Sequence, residues 1–262
     1  MPQDVRELTD FYHAPLGQMA RRVIGRRIRN FWPNMRGRRL LGYGFAVPYL
    51  DAFGDAERAI AAMPSHLGVI GWPDEKNAAL LCEEDCLPFP DVFFDRILIV
   101  HGLEGAESLR PLLRQLWRVL APEGRILLIA PNRTSLWAQV DRSPFGHGRP
   151  FSRNELDGIL KGALFHPSRW ERGLYAPPVS SLTGSGASWE AFGARIFPGM
   201  GGVHVVEATK SLYAAAAPPG LPQTAKAELK TATDLSMVAP DGPARLRRSG
   251  SPVASNFSSE EK

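Results

Sequence analysis

The sequence predicts an α/β fold built on a doubly wound, mostly parallel sheet, on three observations. Short apolar runs alternate with helix-period patterns between residues 38 and 132. One run, Ile97-Leu98-Ile99-Val100, is apolar on both faces, as a strand covered on both sides requires. A glycine turn, Gly42-Tyr43-Gly44, closes the first run and opens into a helix-like stretch with Pro48 in its first turn. The composition agrees with a folded domain: of 262 residues, 44% are hydrophobic and 22% charged, and no apolar run approaches the ~20 residues that span a bilayer. The opening MPQDVRELTDFYH has no basic stretch leading into an apolar one, so it does not read as a signal peptide. Two cysteines, Cys82 and Cys86, make no disulfide framework, and without a histidine cluster they make no metal site, so a reducing cytoplasm is the expected compartment.

Each element follows in order. Residues 20–39 hold eight arginines and no acid. Read as a helix, Leu16, Met19, Val23, Ile28 and Phe31 share a face, with Arg22, Arg26 and Arg29 elsewhere. A solvated basic face on a packed helix is one reading. Contact with nucleic acid, anionic lipid or an acidic partner is the other, and the scarcity of interleaved aromatics speaks against RNA. The strands expected next are RRLLGYG (38–44), HLGVIGW (66–72), NAALLCEED (77–85), FDRILIVHGLE (94–104) and GRILLIAPN (124–132). Helices are expected at 47–63 and at 108–124, the latter stopped by Pro122 and Gly124. Ser152 and Glu155 form a capping box for a helix over 152–165. Residues 168–178 read as a strand and 202–215 as an alternating edge strand. From Ala215 onward the chain is rich in Pro, Ser, Ala and charge without apolar periodicity, which predicts disorder. The domain is thus expected over 1–214, with a lid and basic helix in 1–39 and a tail over 215–262.

The most specific segment is residues 87–132. It contains Leu87-Pro88-Phe89, Phe94-Asp95, His101-Gly102-Leu103-Glu104 and Arg118-Val119-Leu120-Ala121-Pro122-Glu123-Gly124, in that order. This succession resembles the class I S-adenosylmethionine-dependent methyltransferases, in particular the small-substrate group. The resemblance covers about residues 10–214. It implies a Rossmann-like, mostly parallel seven-stranded sheet with a C-terminal edge strand, S-adenosylmethionine as cofactor and a small-molecule methyl acceptor. No nucleic acid is implied.

In that family the first strand ends in acid-x-Gly-x-Gly-x-Gly, where the glycines let the backbone approach the cofactor. Here Gly42 and Gly44 match, but Leu40 stands in the acid's place and Ala46 in that of the third glycine. A nicotinamide loop, the other reading of this glycine pair, would put its third glycine on Val47. A second acid usually ends the second strand. The expected strand puts Trp72 there, with Asp74 just beyond, and Glu83, Glu84 and Asp85 follow the third strand. The expected cofactor contacts are therefore Gly42, Tyr43, Gly44, Trp72, Asp74, Glu83, Glu84, Asp85 and His101. Losing two charge-assisted bonds, at roughly 1.5–3 kcal/mol each, could empty a micromolar site, so a degenerate protein of the same fold that binds or assembles other molecules is the rival expectation.

Methyl transfer from a sulfonium is an in-line displacement that needs an aligned nucleophile, and a base only where that nucleophile must lose a proton. The candidates are His101, at the tip of the fourth strand, Tyr12 or His13 in the N-terminal lid, and His147 between two glycines. Arg142 and Arg149 flank His147 and suit an anionic substrate. If Gly44 lies against a cofactor, Gly44→Val abolishes binding and spares the fold, and Leu40→Asp tightens binding unless Leu40 packs in an apolar core.

Overall fold

Helix formation starts at Asp4, whose carboxylate accepts the Arg6 amide at 2.9 Å and caps α1 (Val5–His13). Pro15 then opens α2 (Pro15–Phe31). The computed structural model describes residues 4–73, 75–140, 143–179 and 186–211, so Asp74, Arg142 and the expected tail lie outside it. The buried face of α2 carries Met19, Ala20, Val23, Ile24, Ile28 and Phe31, while Arg22, Arg26 and Arg29 point to solvent.

The remaining elements are β1 (Arg39–Gly44), α3 (Val47–Leu50), β2 (Arg58–Pro64), β3 (Ala79–Cys82), β4 (Phe94–Val100), α4 (Leu109–Val119), β5 (Leu120–Pro131), α5 (Arg153–Gly162), β6 (Phe165–Gly173), α6 (Gly186–Ile196) and β7 (Val203–Lys210). The seven strands form one sheet in the order β3-β2-β1-β4-β5-β7-β6. β1 to β5 run parallel, and β7 pairs antiparallel with both β5 and β6. This is the doubly wound sheet that the sequence predicts, and its order reverses where β1 lies beside β4. Period-two alternation divides the sheet's side chains between two cores. Leu40, Leu98 and Leu127 pack with α1 and α2 on one face. Leu41, Tyr43, Ile97 and Ile99 pack with α4 and α5 on the other. No helix among the described residues is long and apolar enough to cross a membrane.

Four expectations are corrected. The helix foreseen over 47–63 stops at Leu50, continues as one 3-10 turn to Phe53, and gives way to β2. The alanine-rich 58–64 favours a helix locally, but pairing with β1 on one side and β3 on the other overrides propensity. Residues 66–72, expected as the second strand, instead lie in the β2–β3 connection, where the Leu67 carbonyl accepts the Val5 amide at 2.8 Å. The last strand is not the edge. β7 lies one place in, with β6 outside it, so its residues Val203 to Ala208 are all buried. The helix before β5 also ends earlier than Pro122, at Val119.

The segment 87–132 owes much of its order to Arg118. Its guanidinium donates to the carbonyls of Leu87 at 2.8 Å and Phe89 at 2.9 Å, and to Gln115 and Asp91. One side chain on α4 thereby fixes the Leu-Pro-Phe turn that precedes β4.

Candidate functional site

The turn between β1 and α3 lies at the C-terminal edge of the sheet, beside the end of β4. Gly44 has φ +78°, and a Cβ there would stand 2.3 Å from the Val100 carbonyl oxygen and 2.8 Å from the Gly102 Cα. Only glycine allows that crossing. A Cβ on Gly42 would meet Leu50 Cδ1 at 2.9 Å and the Ala46 Cβ at 3.0 Å. Gly44 is therefore required by the protein's own backbone packing, which removes the expectation that Gly44→Val spares the fold, while a side chain at Gly42 would press on Leu50 and Ala46. The Phe45 amide donates to the Val100 carbonyl at 2.7 Å, tying the turn to β4. Leu40 is wholly buried in the core beneath α2.

Above this turn stands a chain of buried polar side chains. His101 follows β4 with φ +49°, a left-handed conformation that turns its ring back over the strand end. Its Nδ1 lies 3.0 Å from Glu104 Oε1 and its Nε2 2.9 Å from the Tyr12 hydroxyl, which lies 3.0 Å from that of Tyr49. The four groups fit one proton arrangement. Tyr49 donates to Tyr12, Tyr12 donates to Nε2, and the Nδ1 proton goes to Glu104. Burial holds the Tyr12 and Tyr49 hydroxyls well above their usual pKa, so both stay protonated at neutral pH. Tyr12 also stacks on Phe45 at 5.8 Å between centroids, and Phe145 tilts onto His101 at 4.9 Å.

The structure thus brings Tyr12 and His101 together, and it adds Glu104, Tyr49, Phe45 and Phe145, which sequence reasoning did not single out. Glu104 was discoverable, being the acid three residues after His101 in the quoted turn. The two phenylalanines carried no chemical signal. His147 stands apart from this chain. Its Nδ1 bonds the Ser143 carbonyl of its own loop at 3.0 Å. That loop still borders the site, because the Arg149 amide donates to the Glu104 carbonyl at 2.9 Å and Gly148, with φ +72°, packs against the same carbonyl. The Arg149 guanidinium pairs with Glu155.

The expected cofactor contacts along β2 and β3 are placed differently from the sequence reading. Trp72 does not end a strand, and its indole N–H donates to Asp51 at 2.8 Å. β2 ends at Met63 and Pro64, so the strand end that should carry an acid offers a fully buried thioether. The acids after β3 do reach this edge. Glu83 accepts the Ser65 hydroxyl at 2.9 Å, and Glu84 Oε2 accepts the Glu107 amide at 3.1 Å. Glu84 Oε1 lies 3.3 Å from His66 Nδ1 but out of hydrogen-bonding line, and has no hydrogen-bond partner. Asp85 is exposed. Tyr43 is wholly buried, and its hydroxyl has no partner. Burial first, then the nearby Cys82, Glu84 and Glu83, raises its pKa. The Cys82 thiol is likewise pushed up to about 12, chiefly by burial.

The methyltransferase-domain family profile matches residues 41–128, from β1 into β5. A ubiquinone/menaquinone biosynthesis C-methyltransferase of Paraburkholderia phytofirmans is 39% identical over 51 residues, covering 20% of this chain and 21% of that protein. The chain therefore spans about a fifth of the length of the curated relatives it matches. A methyltransferase structure from Thermotoga maritima, described as a possible histamine N-methyltransferase, superposes with TM-score 0.56 at 16% identity, covering 79% of this chain and 96% of that one. An S-adenosylmethionine-dependent methyltransferase from Archaeoglobus fulgidus gives TM-score 0.51 at 18% identity, covering 72% and 94%. At these identities the structures establish the fold, and the profile establishes the motif-bearing half of the sheet. The chain is thus similar to methyltransferases in sequence over residues 41–128 and to S-adenosylmethionine-dependent methyltransferases in fold, with a glycine turn that departs from their motif.

Proposed function

We propose that this protein is an S-adenosylmethionine-dependent methyltransferase acting on a small-molecule acceptor at the C-terminal edge of its sheet. One observation carries the reading. Three buried polar atoms without a hydrogen-bond partner, Tyr43 Oη, Glu84 Oε1 and Glu104 Oε2, lie at or just beyond the ends of β1, β3 and β4. A buried polar atom left unpaired costs about 1–3 kcal/mol, so three along one edge call for a ligand that satisfies them. Two are carboxylate oxygens, which suit a ligand rich in N–H and O–H donors. S-adenosylmethionine, with an ammonium, an amine and two ribose hydroxyls, is such a ligand, and the residues fit it on that ground.

Glu84 and Glu104 would hold the cofactor's donors, and the glycine turn would lie beside it. The cofactor supplies an activated methyl group. The protein supplies orientation and proton handling: Glu104 fixes the Nδ1–H tautomer of His101, which leaves Nε2 as a base for an acceptor that must lose a proton. Tyr12 now occupies that nitrogen, so an acceptor must take the place of Tyr12, and α1 is the lid that carries it. Thermal shift and calorimetry with S-adenosylhomocysteine test the reading. We expect weak, saturable binding that falls about tenfold or more in Glu84→Gln and in Glu104→Gln, since each carboxylate forms a charge-assisted bond.

A second reading, a catalytically degenerate binding or assembly subunit, is favoured by the filling of the turn. Leu40 stands in the place of one acid, β2 ends in the buried Met63 and Pro64 without an acid, and Phe45, next to Gly44, stacks on Tyr12. Absence of heat and of any thermal shift at millimolar S-adenosylhomocysteine would select it.

A further inference from the structure

We propose that α2 and α6 form a docking surface for an anionic phospholipid bilayer. Its basic half is the outer face of α2, where Arg22, Arg26 and Arg29 recur at i, i+4 and i+7 and are all exposed. Among the described residues none of the three has a carboxylate partner. The arginines that turn toward the domain do: Arg21 lies 3.3 Å from Asp51, and Arg27 lies 2.8 Å from Glu190 and 3.3 Å from Glu171. Of the five arginines on α2, the two turned toward the domain are neutralised and the three on the outward row are not, among the described residues. Beside it runs a groove of ≈ 460 Å³ lined in part by Gln18, Arg21, Arg22, Arg29 and Asp51, where Asp51 pairs with Arg21 and leaves Arg22 and Arg29 free to meet a phosphate headgroup.

The apolar half lies on α6 and the turn after it. Phe192, Ile196, Phe197 and Met200 are each 44–53% exposed, and Arg195 stands among them. Four large apolar side chains exposed within nine residues are a concentration of the kind that marks an interaction surface. Glu190, on the same helix, forms the ion pair with Arg27 that fastens α6 to α2, so the patch and the arginine row belong to neighbouring helices.

Charge complementarity selects the occupant. A second copy would set like-charged arginine rows against one another. A nucleic acid supplies phosphates but nothing for Phe192, Ile196, Phe197 and Met200 to enter. An anionic bilayer surface supplies phosphates at the headgroups and hydrocarbon just below them. No described helix is long and apolar enough to cross, so the contact is with the surface.

The test is co-sedimentation of the full-length protein with vesicles of phosphatidylcholine alone or with one-third phosphatidylglycerol, at physiological ionic strength. We expect binding to the phosphatidylglycerol vesicles only. Replacing Arg22, Arg26 and Arg29 together by alanine should weaken it about a hundredfold, the loss of three surface arginines. Phe192→Ser with Phe197→Ser should weaken it as well, and both variants, changed only at exposed positions, should keep the parent melting temperature. No binding to phosphatidylglycerol vesicles, equal binding to phosphatidylcholine alone, or undiminished binding by either variant would overturn the proposal. Tighter binding to single-stranded RNA, lost with the same arginines, would also overturn it and assign the surface to nucleic acid.

Discussion

Placing the acid of the methyltransferase motif at Leu40, the second residue of β1, should break the fold before it can improve a site. Leu40 is wholly buried, pairs with Ala59 and Arg96 on the flanking strands, and belongs to the core under α2. Removing its side chain costs about 2.7–5 kcal/mol by loss of transfer energy and creation of a cavity. An aspartate in that place must also bury a charge or take up a proton. Protonating a carboxyl of unperturbed pKa about 3.9 at pH 7 costs about 4 kcal/mol, which caps the electrostatic share. Leu40→Asp should therefore lose about 7 kcal/mol or more at pH 7, comparable with the whole stability of an ordinary domain. The pH dependence gives a second check. The introduced carboxyl has a folded pKa raised above its unfolded value, so its penalty is smallest below about pH 4 and grows as the pH rises. Urea denaturation of parent and variant at pH 4 and pH 7 measures both quantities. A variant with parental stability at pH 7, binding S-adenosylhomocysteine more tightly, would refute the reasoning and show that this position faces a ligand.

Further outcomes are expected elsewhere. Gly44→Ala, which must hold φ +78° and press on the Val100 carbonyl, should cost about 3 kcal/mol or more, read as a fall in melting temperature without ligand. Arg118→Met leaves the Leu87 and Phe89 carbonyls and Gln115 without their charged donor and should cost about 2–3 kcal/mol in urea denaturation. His204 is buried with its Nε2 3.2 Å from the Phe151 carbonyl, and burial lowers its pKa from 6.5 to about 4. Because the unfolded chain takes up the proton first, stability should fall as the pH drops from 6.5 toward 4, by up to about 3 kcal/mol from this group. Comparing melting curves of the parent with His204→Gln over that range checks it, since the glutamine should remove that part of the slope.

The sequence carried the sheet well where apolar runs were long and punctuated, as at β4, and where a capping box announced α5. It failed at β2, where Ala59, Ala61 and Ala62 carry helix propensity and only the neighbouring strands make the segment extended. α6 went unforeseen because Phe192 and Ile196 face outward, which blurs any amphipathic period. At the site, His101 and Tyr12 were legible as chemistry-bearing residues, but their partnership was not: 89 positions separate them, and the fold alone brings them to 2.9 Å. The glycine turn was legible as a motif, yet its meaning was not, since only coordinates reveal that Gly44 is needed by the end of β4 and that a side chain at Gly42 would press on Leu50 and Ala46. Trp72 was misplaced together with the strand it was thought to end.

The central claim, that the C-terminal edge of this sheet binds S-adenosylmethionine once α1 moves aside, is tested most directly by a crystal structure determined with S-adenosylhomocysteine. The account predicts the ligand beside the Gly42–Gly44 turn, with Glu84 and Glu104 accepting its donors and the Tyr12 hydroxyl gone from His101 Nε2. Crystals soaked at millimolar ligand that show Tyr12 still bonded to His101 and no ligand at that edge would contradict it.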